Sequence, residues 1–585
     1  MAVVARKPVR VQDSPLLGAP FWATARGAGL IVAVLAVVAY AGSLGNDFSY
    51  DEGLVIARAE PFLRSGSVGT LFSRAYFAAT FEGTWRPVCT LTYMLDAMIS
   101  NHATVFKASN LLWHIAAALL VMALARRLLP ERGRRFAIVA GLVLALHPVT
   151  SETVDNASFR EDALVTVFTL ATLVLALDGR RALALVSFAL GLLSKESAMV
   201  APALLAVIRL ARIGSRSAEA ASPPQRIAGG SEPSQGSEFA SPPSRAPRPS
   251  VASLSRELWP YGVVAGVYLA LRFGPMNIPI AYARYPGGTF MATLAALPAI
   301  WTHHLRLLLV PWPLCADMSG AFEFGPQPWL PFIGALGMLG GYGYAVWRAA
   351  RAGHTALAFG LSWFVIALLP VSNLIPIPIP AAERFLYLPL AGIGLAAAAA
   401  VGVALDDAPA RVRRGALVGA AVIAALWLVA INVRHRDWRN DEALWRATVA
   451  INPSSCGAQS AVGGSLLSRG MRQNDPELLR AAADRQELAV ALCPDDADVV
   501  RMAMMYTRLG AARALLGELP AAHAALDKAV GLAPRYALAP AWLGYVAFRE
   551  GDRAQAAVLL QRSILELGPP DGTTAEVARL YLDQL

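Results

Sequence analysis

Residues 30–52 read LIVAVLAVVAYAGSLGNDFSYDE, an apolar run from Leu30 to Leu44 that ends at a segment rich in carboxylates. Four basic residues precede the run: Arg6, Lys7, Arg10 and Arg26. Because the cytoplasmic flanks of membrane spans collect Arg and Lys, we expect the basic end inside and the segment after Leu44 on the outer face. Ala41-Gly42-Ser43 resembles the cleavage site of a signal peptide. The many later apolar blocks favour a retained anchor instead.

The composition of the whole chain is that of a polytopic membrane protein. Of its 585 residues, 56% are hydrophobic and 16% are charged. These fractions exclude a soluble multidomain enzyme and a disordered, collagen-like or disulfide-rich chain. Ten further apolar blocks follow the first run, near 110–129, 136–150, 161–177, 181–194, 198–212, 258–273, 329–347, 355–371, 385–405 and 415–432. Together they predict an all-α bundle of about 11 crossings, of which 181–194 and 198–212 are short for a span.

An odd number of crossings places the C-terminal region outside, opposite the N-terminus. Most arginine clusters then fall on inner loops, so topology explains the net charge of +10 better than nucleic-acid binding does. Two places resist. The block 291–310 contains His303, His304 and Arg306, so we interpret it as an interfacial helix on the outer face. A crossing there would reverse the parity, and Arg434-His435-Arg436 falls on the outer side.

The sequence predicts five parts. They are a cytoplasmic N-terminus (1–27), a first membrane half (28–212) with an outer loop at 46–87, a disordered cytoplasmic linker (213–257), a second membrane half (258–432) and an extracytoplasmic helical domain (433–585). The linker is rich in Ser, Pro, Gly and Ala and lacks apolar periodicity.

The last part resembles a helical repeat array. Pro453, Pro494, Pro534 and Pro569 recur at intervals of roughly 35–41 residues, near the 34-residue period of the tetratricopeptide repeat. Small residues and a Gly551-Asp552 turn are also typical of that repeat. Such an α-solenoid commonly presents a groove for an extended peptide. The alternative is an array that only packs against the membrane domain.

Ionisable residues at the outer ends of spans are candidates for chemistry. In loop 46–87, a carboxylate of Asp51 or Glu52 can act as a base on a polar acceptor that faces a membrane-anchored donor. An ordinary solvated loop is equally compatible with this segment. Arg86 can bind a lipid phosphate through its planar donor fork, unless it makes only ordinary headgroup contacts. Lys195, at a later outer turn, is a second phosphate ligand or a cation that snorkels to the headgroups.

Two other outer loops carry charges. Glu152, Arg160 and Glu161 flank two spans and can pair within the bundle, where a purely architectural ion pair is a strong alternative. The alternating Ile-Pro segment at 375–380 is expected to be extended and rigid, and it leads to Glu383 and Arg384, with Tyr387 one turn inside the next span.

Several common catalytic and binding motifs are absent from the sequence. It contains no Walker loop, dinucleotide-binding glycine motif, Ser elbow or HExxH motif. The four cysteines have no metal-binding spacing, and their pattern does not indicate whether the protein lies in an oxidising or a reducing compartment. A reactive donor would therefore come from the membrane.

Together these segments resemble the transmembrane and tetratricopeptide-repeat-containing protein family, whose members are O-mannosyltransferases of the GT-C superfamily, with bacterial relatives. The resemblance extends over nearly the whole chain except the linker. The matching segments are Phe48-Ser49-Tyr50-Asp51-Glu52, Trp85-Arg86-Pro87, Asn110-Leu111-Leu112-Trp113-His114, His147-Pro148, Glu152-Thr153-Val154, Arg160-Glu161-Asp162, Leu193-Ser194-Lys195-Glu196, Ala382 to Pro389, and Arg434, Trp438 and Asp441 to Trp445.

The resemblance implies a bacterial inner-membrane glycosyltransferase with its repeats on the periplasmic face. It would move a sugar, mannose, from a polyprenyl-phosphate donor to a Ser or Thr hydroxyl of an exported polypeptide held by the repeats. Asp51 would be the general base and Glu52 its neighbour, at a position where many relatives carry a second Asp. We expect the donor phosphate to meet Arg86, Arg160, Lys195 and Arg384, with Glu152, Glu161, Glu383 and Tyr387 in support.

Some features stay open at this point. No cofactor beyond the lipid-linked sugar is expected, and the metal requirement is undecided. The alternative function is a non-catalytic membrane scaffold whose repeats recruit a protein partner. A flippase or transporter is disfavoured, because the ionisable residues lie mostly at span ends.

Overall fold

The computed structural model describes residues 24–211, 213, 250–278, 285–322, 329–377, 379–493 and 499–565. Every regular element in these ranges is a helix, which confirms the all-α prediction. Most of the predicted cytoplasmic N-terminus (1–27) and of the predicted linker (213–257) lies outside the described residues.

The first membrane half contains ten α-helices within the described ranges. They are α1 (Ala25–Tyr40), α2 (Glu60–Ser65), α3 (Ala75–Thr80), α4 (Pro87–Ile99), α5 (Ala103–Leu128), α6 (Ala137–Leu146), α7 (Ser151–Asp155), α8 (Arg160–Leu177), α9 (Arg181–Ser194) and α10 (Val200–Ala211). The second half contains α11 (Val251–Phe273), α12 (Phe290–Leu309), α13 (Trp329–Arg351), α14 (Thr355–Leu368), α15 (Tyr387–Leu405) and α16 (Ala410–Asp437). Short 3-10 or π turns near the site are Gly53–Arg58, Pro148–Thr150, Ala157–Phe159, Glu196–Met199 and Glu383–Leu386.

The structure supports an integral membrane protein. Among the described residues, four helical segments are long and apolar enough to cross a membrane, and one pair bent by 50° raises the number to five if it forms a single span. The four are Ala25–Gly45, Ala103–Leu128, Glu383–Leu405 and Ala410–Asp437, and the bent pair is Gly133–Leu146 with Pro148–Asp155. The larger number of crossings expected from the sequence stays a prediction, as does the interfacial position of 291–310.

Helix α16 has the apolar outer surface expected of a helix that faces lipid. Its apolar side chains point outward, with Leu417 68% exposed and Leu426 63% exposed. A contiguous apolar surface of this kind is costly in water, whereas it is the ordinary surface of a helix in a bilayer.

Close helix contacts fix the position of α15, whose N-terminal end lies at the site described below. A Cβ atom added at Gly360 of α14 would lie 2.6 Å from the backbone nitrogen of Ala396, and one at Gly394 would lie 2.8 Å from the carbonyl oxygen of Ala140. Only glycine permits backbones to approach so closely, as is usual in membrane helix packing. The middle of α15 is therefore held against α6 and α14, and this fixes the position of the whole helix.

The C-terminal region continues as stacked helices, each packed against the next in sequence. They are α17 (Asp441–Ile451), α18 (Cys456–Gln473), α19 (Pro476–Leu492), α20 (Val499–Leu515), α21 (Leu519–Leu532), α22 (Leu538–Glu550) and α23 (Arg553–Leu565). Gly510 faces Leu526, and Gly544 faces Leu560 in the same way. The second pair follows the first by 34 positions, the period of the tetratricopeptide repeat. The assignment of all of 433–585 to such repeats stays a prediction.

A disulfide joins Cys456 at the start of α18 to Cys493 just after α19, with the two Cα atoms 5.3 Å apart. The other two cysteines, Cys89 and Cys315, are free and buried. Cysteine spacing did not predict this bond, because the two thiols meet only when α18 and α19 pair. Disulfides persist mainly in oxidising compartments, so the bond bears on the orientation of this region.

The repeated glycine contacts predict how the helical array responds to substitution. A Cβ atom would lie 2.5 Å from Leu526 at position 510 and 2.7 Å from Leu560 at position 544, whereas Gly531 has nothing within 4 Å. We expect Gly510→Ala and Gly544→Ala each to lower the free energy of unfolding by about 1–3 kcal/mol through overpacking. Gly531→Ala is the matched control, and the higher helix propensity of alanine should leave it neutral or stabilising. Thermal unfolding of the three purified variants checks this, and equal melting temperatures would contradict it.

Candidate functional site

A cavity of about 320 Å³ lies where loop 46–87 meets the ends of several bundle helices. Five of the residues singled out in the sequence line it: Asp51, Arg86, Glu161, Lys195 and Arg384. They come from separate segments of the chain, so the fold brings them together. The lining residues are 51, 54, 55, 81–84, 86, 158, 159, 161, 195–197, 370, 371, 377, 379, 384 and 385.

Asp51 lies in the cavity lining. Its carbonyl oxygen accepts from the backbone N–H groups of Leu54 and Val55, at 3.0 and 2.9 Å, and so begins the next helical turn. No hydrogen bond or ion pair within the described residues engages its carboxylate, which is open to the cavity. Desolvation by the surrounding protein raises the pKa of Asp51. The positive charges of Arg384 and Arg86 only partly oppose this rise. An unengaged carboxylate with a raised pKa suits the role of a general base.

Glu52 lies on the other side of the same turn and does not line the cavity. Its side chain is fully buried, and Lys107 pairs with it at 3.4 Å. The backbone N–H groups of Ala157 and Ser49 donate to its two oxygens at 2.5 and 2.8 Å. Glu52 therefore holds the loop against α5 and the turn before α8. Its catalytic role, expected from the sequence, stays a prediction.

Each of three cations in the cavity wall is oriented by a carboxylate. Arg86 Nη1 lies 2.9 Å from Glu161 Oε1, and Lys195 Nζ lies 2.5 Å from Asp162 Oδ1. Charge-assisted pairs of this kind fix the direction of a long side chain.

Arg384 is held most firmly of the three. Its side chain pairs with the buried carboxylate of Glu152, and its backbone N–H donates to the other oxygen of that carboxylate at 2.7 Å. The guanidinium also lies over the ring of Phe159, 4.0 Å from the ring centre. Glu152 therefore stands behind the cavity as the partner that presents Arg384 to it.

The structure places Arg160 away from the cavity. Its guanidinium is buried in the bundle, 2.6 Å from Asp96 and 2.6 Å from the side-chain oxygen of Asn110. It also donates to the carbonyl of Phe106 at 2.8 Å. These contacts match the architectural alternative considered for this residue, and its predicted contact with phosphate stays a prediction.

Glu383 and Tyr387 also lie outside the cavity lining. Glu383 pairs with Arg434 at 3.0 Å and so joins the turn before α15 to the end of α16. The hydroxyl of Tyr387 lies 2.7 Å from Nδ1 of His114 and ties α15 to α5. Both residues support the frame that presents Arg384.

Glu82 lines the cavity and was missed in the sequence. The hydroxyl of Tyr76 donates to its Oε2 at 2.6 Å, and the same hydroxyl accepts from the backbone N–H of Arg86 at 3.2 Å. No cation within the described ranges forms an ion pair with Glu82. Burial raises the pKa of Glu82 to about 7, although Arg86 opposes the rise. Its place in loop 46–87, four residues before Arg86, was the one sequence feature that could have indicated Glu82.

Metal-binding groups do not stand out in this part of the chain. Among the described residues, no group of three or more His, Cys, Asp or Glu side chains is arranged to hold a metal ion. The metal requirement therefore stays open.

Comparison with known proteins gives one consistent group of relatives. The chain is 23% identical over 503 residues to the human protein O-mannosyl-transferase TMTC4, which covers 77% of this chain and 64% of that protein. It is 31% identical over 199 residues to the Drosophila melanogaster protein O-mannosyl-transferase Tmtc2, covering 30% of this chain and 21% of the relative. A Caenorhabditis elegans protein O-mannosyl-transferase is 29% identical over 160 residues, covering 26% and 23%.

The chain thus matches less than two thirds of the length of each of these relatives. No family model and no solved structure matches it. The fold and site define a helical integral membrane protein with a charged cavity at the ends of its helices. The relatives then confirm the resemblance drawn from the sequence, which is to the transmembrane and tetratricopeptide-repeat-containing family of protein O-mannosyl-transferases.

The raised pKa of Glu82 predicts a pH-dependent loss of stability. The folded state holds this proton up to about pH 7, whereas the unfolded chain releases it near the ordinary value of 4.5. Stability should therefore fall as the pH rises from about 4.5 to about 7 and change no further above that. Glu82→Gln removes this contribution, so its melting temperature should fall less than that of the wild type over the same interval. Identical pH dependence in the two proteins would contradict the assignment.

Proposed function

We propose that the protein is a membrane glycosyltransferase that moves a sugar, mannose, from a polyprenyl-phosphate donor to a Ser or Thr hydroxyl of a polypeptide. The relatives support the class of reaction, since their names describe protein O-mannosyl-transferases. One structural observation carries the proposal. An unengaged carboxylate, Asp51, shares a cavity with three oriented cations, Arg86, Lys195 and Arg384.

The proposed transfer is a single displacement. Asp51 takes the proton of the acceptor hydroxyl while the hydroxyl oxygen forms a bond to the anomeric carbon of the sugar. The bond from that carbon to the phosphate oxygen breaks, and its electron pair leaves with the lipid phosphate. Arg86, Lys195 and Arg384 stabilise the charge on the departing phosphate, and their carboxylate partners keep them in position for it.

The division of the cavity lining into apolar and charged side chains also supports a lipid-linked donor. Apolar side chains form the wall next to the charged groups: Leu54, Val55, Phe81, Pro370, Val371, Ile377, Ile379 and Phe385. A polyprenyl phosphate has the same division, with an apolar chain joined to an anionic head. We place the head against the cations and the first isoprene units against this wall.

The finer architecture belongs to the same proposal. It comprises a GT-C-like bundle of about 11 crossings and a tetratricopeptide-repeat solenoid over 433–585 that holds the acceptor. The 34-residue offset between glycine contacts supports the solenoid. The solenoid also adjoins the site, because the backbone N–H of Asp47 donates to the carbonyl of Arg439 at 3.0 Å.

Asp51→Asn should lower the rate of sugar transfer by about 10²–10⁴-fold, because it removes the general base and leaves the shape unchanged. The assay uses purified protein, polyprenyl-phosphate mannose and a peptide rich in Ser and Thr. Asp47→Asn is the matched control, since Asp47 lies in the same loop with an exposed side chain. Full activity of a correctly inserted Asp51→Asn protein would refute the proposed function and favour a membrane scaffold.

The proposed location is a bacterial inner membrane, with the region 433–585 on the periplasmic face. The Cys456–Cys493 disulfide supports this orientation, because cytosolic thiols are kept reduced. Denatured protein taken from cells without reduction should therefore offer two thiols to a maleimide reagent, Cys89 and Cys315, and four after reduction. Four reactive thiols before reduction would contradict the periplasmic placement.

A further inference from the structure

Tyr50, the residue immediately before Asp51, has an unusual backbone conformation. Its φ of 58° lies in the left-handed region, which a bulky residue seldom occupies unless its surroundings impose it. Because the direction of the chain at Tyr50 decides where Asp51 points, whatever holds Tyr50 also sets the place of the carboxylate.

Helix α17 supplies that hold. The backbone N–H of Tyr50 donates to Oδ1 of Asp441 at 2.7 Å. The ring of Tyr50 stacks on Trp445, with centres 5.0 Å apart, and its edge packs on Phe159 at 5.3 Å. Asp441 and Trp445 lie one turn apart on one face of α17, so a single helix face contacts both the backbone and the ring of Tyr50.

The loop is held on both sides of this contact. Before Tyr50, the Asn46 side chain donates to the carbonyl of His435 at 2.9 Å, and the backbone N–H of Asp47 donates to Arg439. After Tyr50, the next two residues have separate tasks, with Glu52 buried against Lys107 and Asp51 open to the cavity. Tyr50 is therefore the link between a fixed segment and the free carboxylate.

We propose that Asp441 is a positioning residue for Asp51, which it directs into the cavity by holding Tyr50 in the left-handed conformation. Asp441 touches neither donor nor acceptor, and it acts only through the backbone of Tyr50. This inference rests on the proposed function, because it takes Asp51 as the base. It makes the first helix of the C-terminal region part of the catalytic apparatus rather than a tether for the acceptor alone.

The role of Asp441 predicts a split between kinetic constants. Asp441→Ala should lower kcat about 10-fold or more, because a misplaced reacting group loses most of the gain from orientation. The KM for polyprenyl-phosphate mannose should stay within about twofold of the wild type, since the cations are untouched. Asp441→Asn keeps an oxygen acceptor at the same place and should recover most of the lost kcat.

The control is Glu442→Ala, the next residue on the same helix. Glu442 pairs with Arg446 and Arg469, and no hydrogen bond or ion pair among the described residues joins it to Tyr50, so its loss should leave both constants unchanged. All variants are measured as full-length protein in lipid nanodiscs, with polyprenyl-phosphate mannose and a Ser/Thr peptide, at equal amounts of folded protein.

The outcomes separate this inference from the proposed function. An active Asp51→Asn protein would refute the function, and with it the base that Asp441 is said to position. An inactive Asp51→Asn protein with a fully active Asp441→Ala protein would refute only the positioning role. A loss of folded protein with unchanged kcat, or equal losses in Asp441→Ala and Asp441→Asn, would also overturn it.

Discussion

The buried ion pair between Glu152 and Arg384 is the contact on which the site depends. It joins α7 of the first membrane half to the turn before α15 of the second, and Glu152 accepts from both the guanidinium and the backbone of Arg384. Removing one partner of such a pair leaves an uncompensated charge, at a cost of about 3–5 kcal/mol. The pair therefore holds the two halves in one register and keeps a cation facing Asp51.

A second contact extends this frame to the C-terminal helices. Glu383, next to Arg384 in the chain, pairs with Arg434 near the end of α16. Helix α16 leads directly into α17, which holds Tyr50 and so returns to the residue before Asp51. The carboxylate and the cation that faces it are thus fixed by one connected set of contacts through both halves of the protein. Most charged groups in this set pair with each other, whereas the carboxylates of Asp51 and Glu82 line the cavity and form no ion pair among the described residues.

The sequence predicted charged residues that line the cavity, but it did not predict which of the candidates face the cavity and which pair inside the bundle. Asp51, Arg86, Lys195 and Arg384 were proposed from their places at span ends, and they line one cavity because span ends on one side of a bundle come together. Glu52 and Arg160 carried the same signal, yet each is buried against a charge from another helix, Lys107 and Asp96. Sequence position cannot show which neighbour in space will neutralise a charge. Glu82 was missed for the converse reason: among the described residues no cation pairs with it, and an unpaired charge cannot be read from sequence position.

The central claim is that a polyprenyl-phosphate sugar binds in this cavity. Photo-crosslinking tests it most directly, with a diazirine placed on the first isoprene unit of polyprenyl-phosphate mannose and the labelled peptides identified by mass spectrometry. The account predicts labelling within residues 54–55, 81–86, 195–197 or 370–385, which unlabelled polyprenyl phosphate should suppress. Saturable labelling elsewhere, with these four segments unlabelled, would contradict it.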